Sequence, residues 1–179
     1  QTSYGAQKAS AELMLSDYSR KGFVDGMALR LPTICVRPGS PNKAASGFFS
    51  NIIREPLNGK TAYLPVDVTL KHWHASPNAA ANFLIHAATL DSSKLENRRS
   101  LNLPGVSCTV EEQIEALRAI AGQKTVDLII PKPDPNIIKM VTGWPRDFSP
   151  ERAVRLGFKA EKDFKQIIST YVSEDLEDP

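Results

Sequence analysis

Short aliphatic runs alternate with capped helical segments along most of this chain, and that alternation restricts its fold more than any other feature. Helix starts are marked by side chains able to accept from a free backbone N–H: Ser76 ahead of Pro77, Thr109 with Glu112 three residues on, and Ser149 ahead of Pro150. A first helix is expected over about 5–20, where Ala11, Met14, Leu15 and Tyr18 recur at helical spacing and Gly22 supplies a stop. A second carries the stripe Phe48, Phe49, Ile52 and Ile53 and should stop at Pro56. Strands are expected over 27–31, 61–64, 70–74, 101–103 and 126–130, the first of them ended or bent by Pro32, which lacks a ladder donor. The result is an α/β layer arrangement with at least some parallel pairing. The interleaving loosens after Gly59, as for a smaller lobe packed on the edge of a main sheet.

Composition removes several classes of function. The 179 residues are enough for one domain with a core, and a formal charge of +2, with basic and acidic residues intermixed, leaves no strip suited to a phosphate backbone. Nucleic acid is therefore not an expected partner. No apolar run approaches a membrane span, so no membrane partner is expected either. Cys35 and Cys108 are far apart and lie in apolar surroundings, which fits reduced thiols in a cytoplasmic setting. The sequence opens at Gln1 and enters a helix within a few residues, so it reads as part of something longer.

Tyr4 and Lys8, four residues apart on the first helix, project from one face. A free phenol titrates near pH 10 and is a poor base at neutrality, but a fixed positive charge beside it favours the phenolate. Such a tyrosine can pass a proton to or from a substrate hydroxyl. On spacing alone the pair also describes an ordinary solvated Tyr and Lys. Its context is more specific: Ser3-Tyr4-Gly5-Ala6-Gln7-Lys8-Ala9, then Glu12, then Leu29-Arg30-Leu31-Pro32-Thr33.

Those residues, in that order, resemble the extended short-chain dehydrogenase/reductases, the NAD-dependent epimerase/dehydratase family, and the resemblance extends along the whole chain. It implies the C-terminal portion of a Rossmann-like protein: the last parallel strands plus a small α/β substrate-binding lobe, with the N-terminal nucleotide-binding half absent. Residues 1–40 would be the remainder of the Rossmann-like domain, and 41–179 mainly the substrate lobe, with 66–100 returning to the Rossmann sheet. By the resemblance, Tyr4 and Lys8 are catalytic and also touch NAD, or NADP as the alternative, while Pro32, Thr33 and Ile34 lie against the nicotinamide just outside a strand end. The segments 31–34, 37–39 and 41–45 look most like members that oxidise a four-carbon sugar acid. An acid substrate needs a cation, and the loop offers Arg37 and Lys43 beside the amide of Asn42, with Arg54 and Arg146 farther off. Each could equally be a solvated loop residue. The first helix is, on the same resemblance, a homodimer contact.

Departures matter as well. His74-Ala75-Ser76-Pro77 looks like the family's His-x-Asp-Asp helix entry with both acids replaced, so a packed histidine is the expectation there. His72 and His74 share a strand face without a third ligand, and no metal site is expected. No G-x-G-x-x-G is present, so this segment alone has no diphosphate cradle and should be inactive. Two other readings stand beside the dehydrogenase: a sugar-nucleotide epimerase or dehydratase of the same family, and a non-catalytic cofactor-sensing or interaction module.

Overall fold

The computed structural model describes residues 2–41 and 44–176. Helix α1, Ser3–Arg20, starts ahead of the expected position because the Thr2 hydroxyl accepts from the Gly5 N–H at 3.0 Å. It buries none of its residues. The apolar positions that predicted it do not form a core stripe: Leu15 alone reaches into a close fit, against Gly26, where an added Cβ would stand 2.3 Å from Leu15 Cδ1.

Strand β1, Ala28–Arg30, and strand β2, Thr33–Ile34, are one extended segment split at Pro32. Without an N–H at that position the ladder cannot continue, and the chain changes partners. β1 pairs in parallel with β5, Ser100–Asn102, whereas β2 pairs in parallel with β4, Lys71–Ala75, placing Thr33 opposite His74. Strand β6, Val106–Thr109, was not expected; it joins β4 antiparallel, with His72 opposite Cys108. Its polar Ser107 and Thr109 hide it in the sequence, and Thr109 also closes the capping box of α4, Val110–Ala121. Strand β3, Ala62–Leu64, pairs in parallel with β7, Ile129–Pro131.

The strand expected over 126–130 begins late. Gly122 adopts a positive φ of 82°, after which Gln123–Val126 forms a single helical turn, α5, that drops Val126 into the core before the chain extends. Helix α2, Gly47–Leu57, runs one residue past Pro56. Helix α3, Pro77–Thr89, opens as expected, with Ser76 Oγ accepting from the Ala79 N–H. Helices α6, Pro135–Val141, α7, Glu151–Arg155, and α8, Phe164–Glu174, complete the chain. Pro150, not Ser149, occupies the N-cap position of α7, and no side chain caps it.

Two apolar clusters hold these pieces. The larger joins α2, α4 and α8 through Phe49, Ile52, Ile53, Leu117, Ile167 and Ile168. The smaller packs α3 and α7 on the end of the β1–β5 ladder through Phe83, Leu95, Leu101, Leu103 and Phe158. Among the described residues, no helix is long and apolar enough to cross a membrane.

Gly105 is the most crowded of the described glycines: a Cβ there would meet Trp73 Nε1 at 2.1 Å and the His74 carbonyl oxygen at 2.6 Å. Backbone cannot yield as a flexible side chain can. Gly105→Ala is expected to destabilise the fold by about 1–3 kcal/mol, the usual range for overpacking. Gly143→Ala, where the nearest atom is 3.9 Å away, should change little. Urea melts of the two variants check the contrast.

Candidate functional site

The position of Tyr4 and Lys8 follows from how α1 is fastened. Glu12, one turn beyond Lys8, receives both Nε and an Nη of Arg30 at 2.8 and 2.5 Å. Hydrogen bonding from Arg30 holds the Glu12 carboxyl below its ordinary range, with smaller help from Ser100 and from the charge of Lys8. Lower down, Ser19 Oγ accepts from the Gly26 N–H at 3.2 Å. Helix residues 19 and 12 thus meet residues 26 and 30 in turn, so α1 runs antiparallel to β1. From Glu12 back to Tyr4 is about 12 Å of helix, and from Arg30 on to Thr33 about 10 Å of extended chain. Both segments run on in the same direction, past the Arg30 end of the β1–β5 ladder.

Both side chains of the pair are open to solvent there. Tyr4 is 71% exposed, and among the described residues neither it nor Lys8 has a hydrogen-bond partner. A cleft of about 600 Å³ beside α1 is lined by Ala9, Glu12, Leu13 and Ser16 with Arg30 and Arg152, but it lies below the pair and includes neither.

Pro32 is buried, and Thr33 is partly exposed. With Leu31 they wall a small pocket of about 200 Å³, completed by His72, Trp73, Trp144, Pro145 and Phe148. The pocket is almost entirely apolar in lining, as the crevice outside strand ends in an open α/β sheet often is. Ile34 turns the other way, onto the smaller apolar cluster. From the sequence His72 is only the partner of His74 on one strand face, with no role of its own. In the structure its Nε2 lies 2.7 Å from Thr33 Oγ1, its ring stacks on Phe49 at 5.0 Å, and Trp144 covers it at 5.6 Å. No sequence pattern marks this contact, because 39 residues separate the partners.

The cations are divided differently from the expectation. Arg54, 5% exposed, is a brace: it donates to the Arg37 carbonyl, Asn51 and Glu55. Arg37 is half-buried and reaches only Ser46 Oγ, at 3.4 Å, with no carboxylate partner among the described residues. Arg146 is exposed next to the small pocket, its carbonyl accepting from Ser107. Asn42 and Lys43 lie outside the described residues.

His74 is fully buried, its Nε2 2.9 Å from the amide of Gln113 and its ring set edge-on against Phe49 and Phe164. Burial pushes His72 down to about 4 and His74 well below the ordinary value. It also pushes the free thiols of Cys35 and Cys108 up to about 12. Among the described residues, no group of three or more His, Cys, Asp or Glu could hold a metal ion.

No family model matches the chain. It is 48% identical over 97% of its length to D-erythronate dehydrogenase of Cupriavidus necator, covering 54% of that protein. It is 44% identical over 98% of its length to D-erythronate dehydrogenase of Haemophilus influenzae, covering 56%. The chain therefore spans about half the length of the curated relatives it matches. A solved structure described as the nucleoside-diphosphate-sugar epimerase from Agrobacterium tumefaciens superposes with a TM-score of 0.94 and 57% identity, covering 97% of this chain and 51% of that one.

The two buried imidazoles impose a pH dependence on stability. Their folded pKa values lie below the ordinary 6.5, so the unfolded chain binds more protons as pH falls through that value. Stability is full above about pH 6.5 and is lost progressively towards pH 4, whereas Glu12, ordinarily at 4.5 and lowered on folding, contributes its loss only below that. The urea midpoint should accordingly be lower at pH 5 than at pH 7, and His72→Phe should reduce that difference.

Proposed function

Because the chain is homologous over nearly its whole length to proteins named D-erythronate dehydrogenase and has the fold of the C-terminal portion of an extended short-chain dehydrogenase/reductase, we propose that the protein it represents is an NAD-dependent oxidoreductase acting on a sugar acid such as D-erythronate. The observation that carries the reading is the placement of Tyr4 and Lys8. They stand exposed on the first turns of α1, the end that points the same way as the chain running from Arg30 to the apolar pocket walled by Pro32 and Thr33.

In this reading Tyr4 passes the proton between the substrate's secondary hydroxyl and solvent, and Lys8 supplies the neighbouring positive charge and a contact to the cofactor ribose. Pro32 and Thr33, with the aromatic walls of the pocket, suit a flat and weakly polar ring such as nicotinamide. NAD, when bound, supplies hydride transfer; the chain supplies orientation and the proton path. Arg37, half-buried and without a carboxylate partner among the described residues, is the cation proposed to meet a substrate carboxylate. Asn42, Lys43 and Arg146 are the further contacts proposed from the sequence. Two free, buried thiols fit a cytoplasmic setting. The apolar residues left exposed along and just after α1, Leu13, Met14, Tyr18 and Phe23, fit a homodimer contact through that helix.

A second reading has one observation in its favour: the 57% identical structure from Agrobacterium tumefaciens is described as a nucleoside-diphosphate-sugar epimerase. The two readings separate on net redox change. A dehydrogenase accumulates NADH with D-erythronate; an epimerase interconverts a nucleotide sugar without accumulating it.

In the full-length protein, D-erythronate and NAD should give NADH, and Tyr4→Phe should lower the rate by about 10²–10⁴-fold, the span of general acid–base catalysis. Turnover unchanged by that substitution would remove Tyr4 from the mechanism. The isolated 179 residues, which carry no glycine-rich diphosphate loop, should reduce no NAD.

A further inference from the structure

We propose that His72 is a positioning residue that fixes the Thr33 hydroxyl as an acceptor in the small apolar pocket, so that the pocket selects a ligand presenting an O–H or N–H donor. The inference rests on the function proposed above, because it takes that pocket as the nicotinamide and substrate crevice.

The geometry argues for it in three steps. Parallel pairing of β2 and β4 sets Thr33 opposite His74, and His72, two residues earlier, shares the face of His74, so the imidazole and the hydroxyl meet across the ladder at 2.7 Å. Phe49 stacks on the ring with an interplanar angle of 6° and Trp144 closes on it from the 144–148 loop, which leaves His72 little rotational freedom. Last, the ring has two polar neighbours of different kind: the Thr33 hydroxyl at Nε2 and the Pro145 backbone carbonyl. A neutral imidazole offers one donor and one acceptor. With the ring's N–H given to the carbonyl, which can only accept, Nε2 is left to accept. In that tautomer Thr33 donates its proton to His72.

A threonine whose hydrogen is committed in this way shows only lone pairs to the pocket. It can receive a hydrogen bond from a carboxamide N–H or from a sugar-acid hydroxyl, and it cannot serve a ligand group that only accepts. His72 also joins the 144–148 loop, which carries Arg146, to the strand end at Thr33, so the pocket's two walls are held in one register by one ring. Neither partner betrays this in the sequence: His72 looks like a core histidine, and Thr33 like a strand residue after a proline.

The test is a double-mutant cycle in the full-length protein with D-erythronate and NAD, reading KM for each separately. His72→Phe and Thr33→Val should each raise one of the two KM values by about five- to tenfold, the weight of one neutral hydrogen bond, and the double variant should be no worse than Thr33→Val alone. The KM that rises tells whether the donor comes from the sugar acid or from the cofactor. His72→Gln, whose Oε1 can accept where Nε2 did, should recover most of the loss. If His72→Phe does not fold, Thr33→Ser against Thr33→Val carries the same test, since only serine keeps the hydroxyl. Additive losses, no rescue by glutamine, or two unchanged KM values would overturn the proposal while wild-type turnover and its dependence on Tyr4 still upheld the dehydrogenase. Absence of wild-type turnover would take both down.

Discussion

The forked contact between Glu12 and Arg30 sets how α1 lies along β1. Helix α1 buries no residue, so it is not located by a core, as most helices of this length are. It is located by three directional contacts in a row: Ser19 on Gly26, Leu15 in the notch that Gly26 leaves, and the carboxylate of Glu12 in the guanidinium of Arg30. An isolated surface ion pair contributes little to stability. This one is bidentate, and the Glu12 side chain is only 18% exposed, so its effect is geometric: it fixes how far the helix slides along the strand. Tyr4 and Lys8 ride on that setting.

The opposing wall depends on Pro32. A strand of seven ordinary residues would have kept one neighbour along its length. Here Arg30 still serves the β5 side, its carbonyl accepting from the Leu103 N–H at 3.1 Å, while the Cys35 N–H donates to Ala75 on the β4 side at 2.9 Å. The gap between these two ladders is where the small pocket opens, roofed by Trp144 and Phe148. A concavity at the end of a parallel strand thus follows from one missing N–H and from the aromatic loop that covers it.

The cation distribution around α2 shows how little a list of charged residues says before folding. Arg37 and Arg54 look equivalent in sequence, both near the loop that precedes or forms α2. Folding buries Arg54 and uses three of its donors internally, one of them on the carbonyl of Arg37 itself, so Arg54 holds the loop that presents Arg37. The distinction decides which of them keeps donors free of internal partners among the described residues.

The alternation of strands and helices, the capping of α3 and α4, the break at Pro32 and the pairing of Tyr4 with Lys8 on one helical face were all legible in the sequence. They are consequences of local chemistry: side-chain acceptors, a missing donor and a 3.6-residue period. Strand β6 and the turn of α5 were not, because tertiary burial of Cys108 and Val126 overrides weak local preference. Nor was the contact of His72 with Thr33, the bracing role of Arg54, or the height of α1 along β1. Each of these joins residues far apart in the chain, where spacing carries no signal, and only the packed sheet brings them within hydrogen-bond reach.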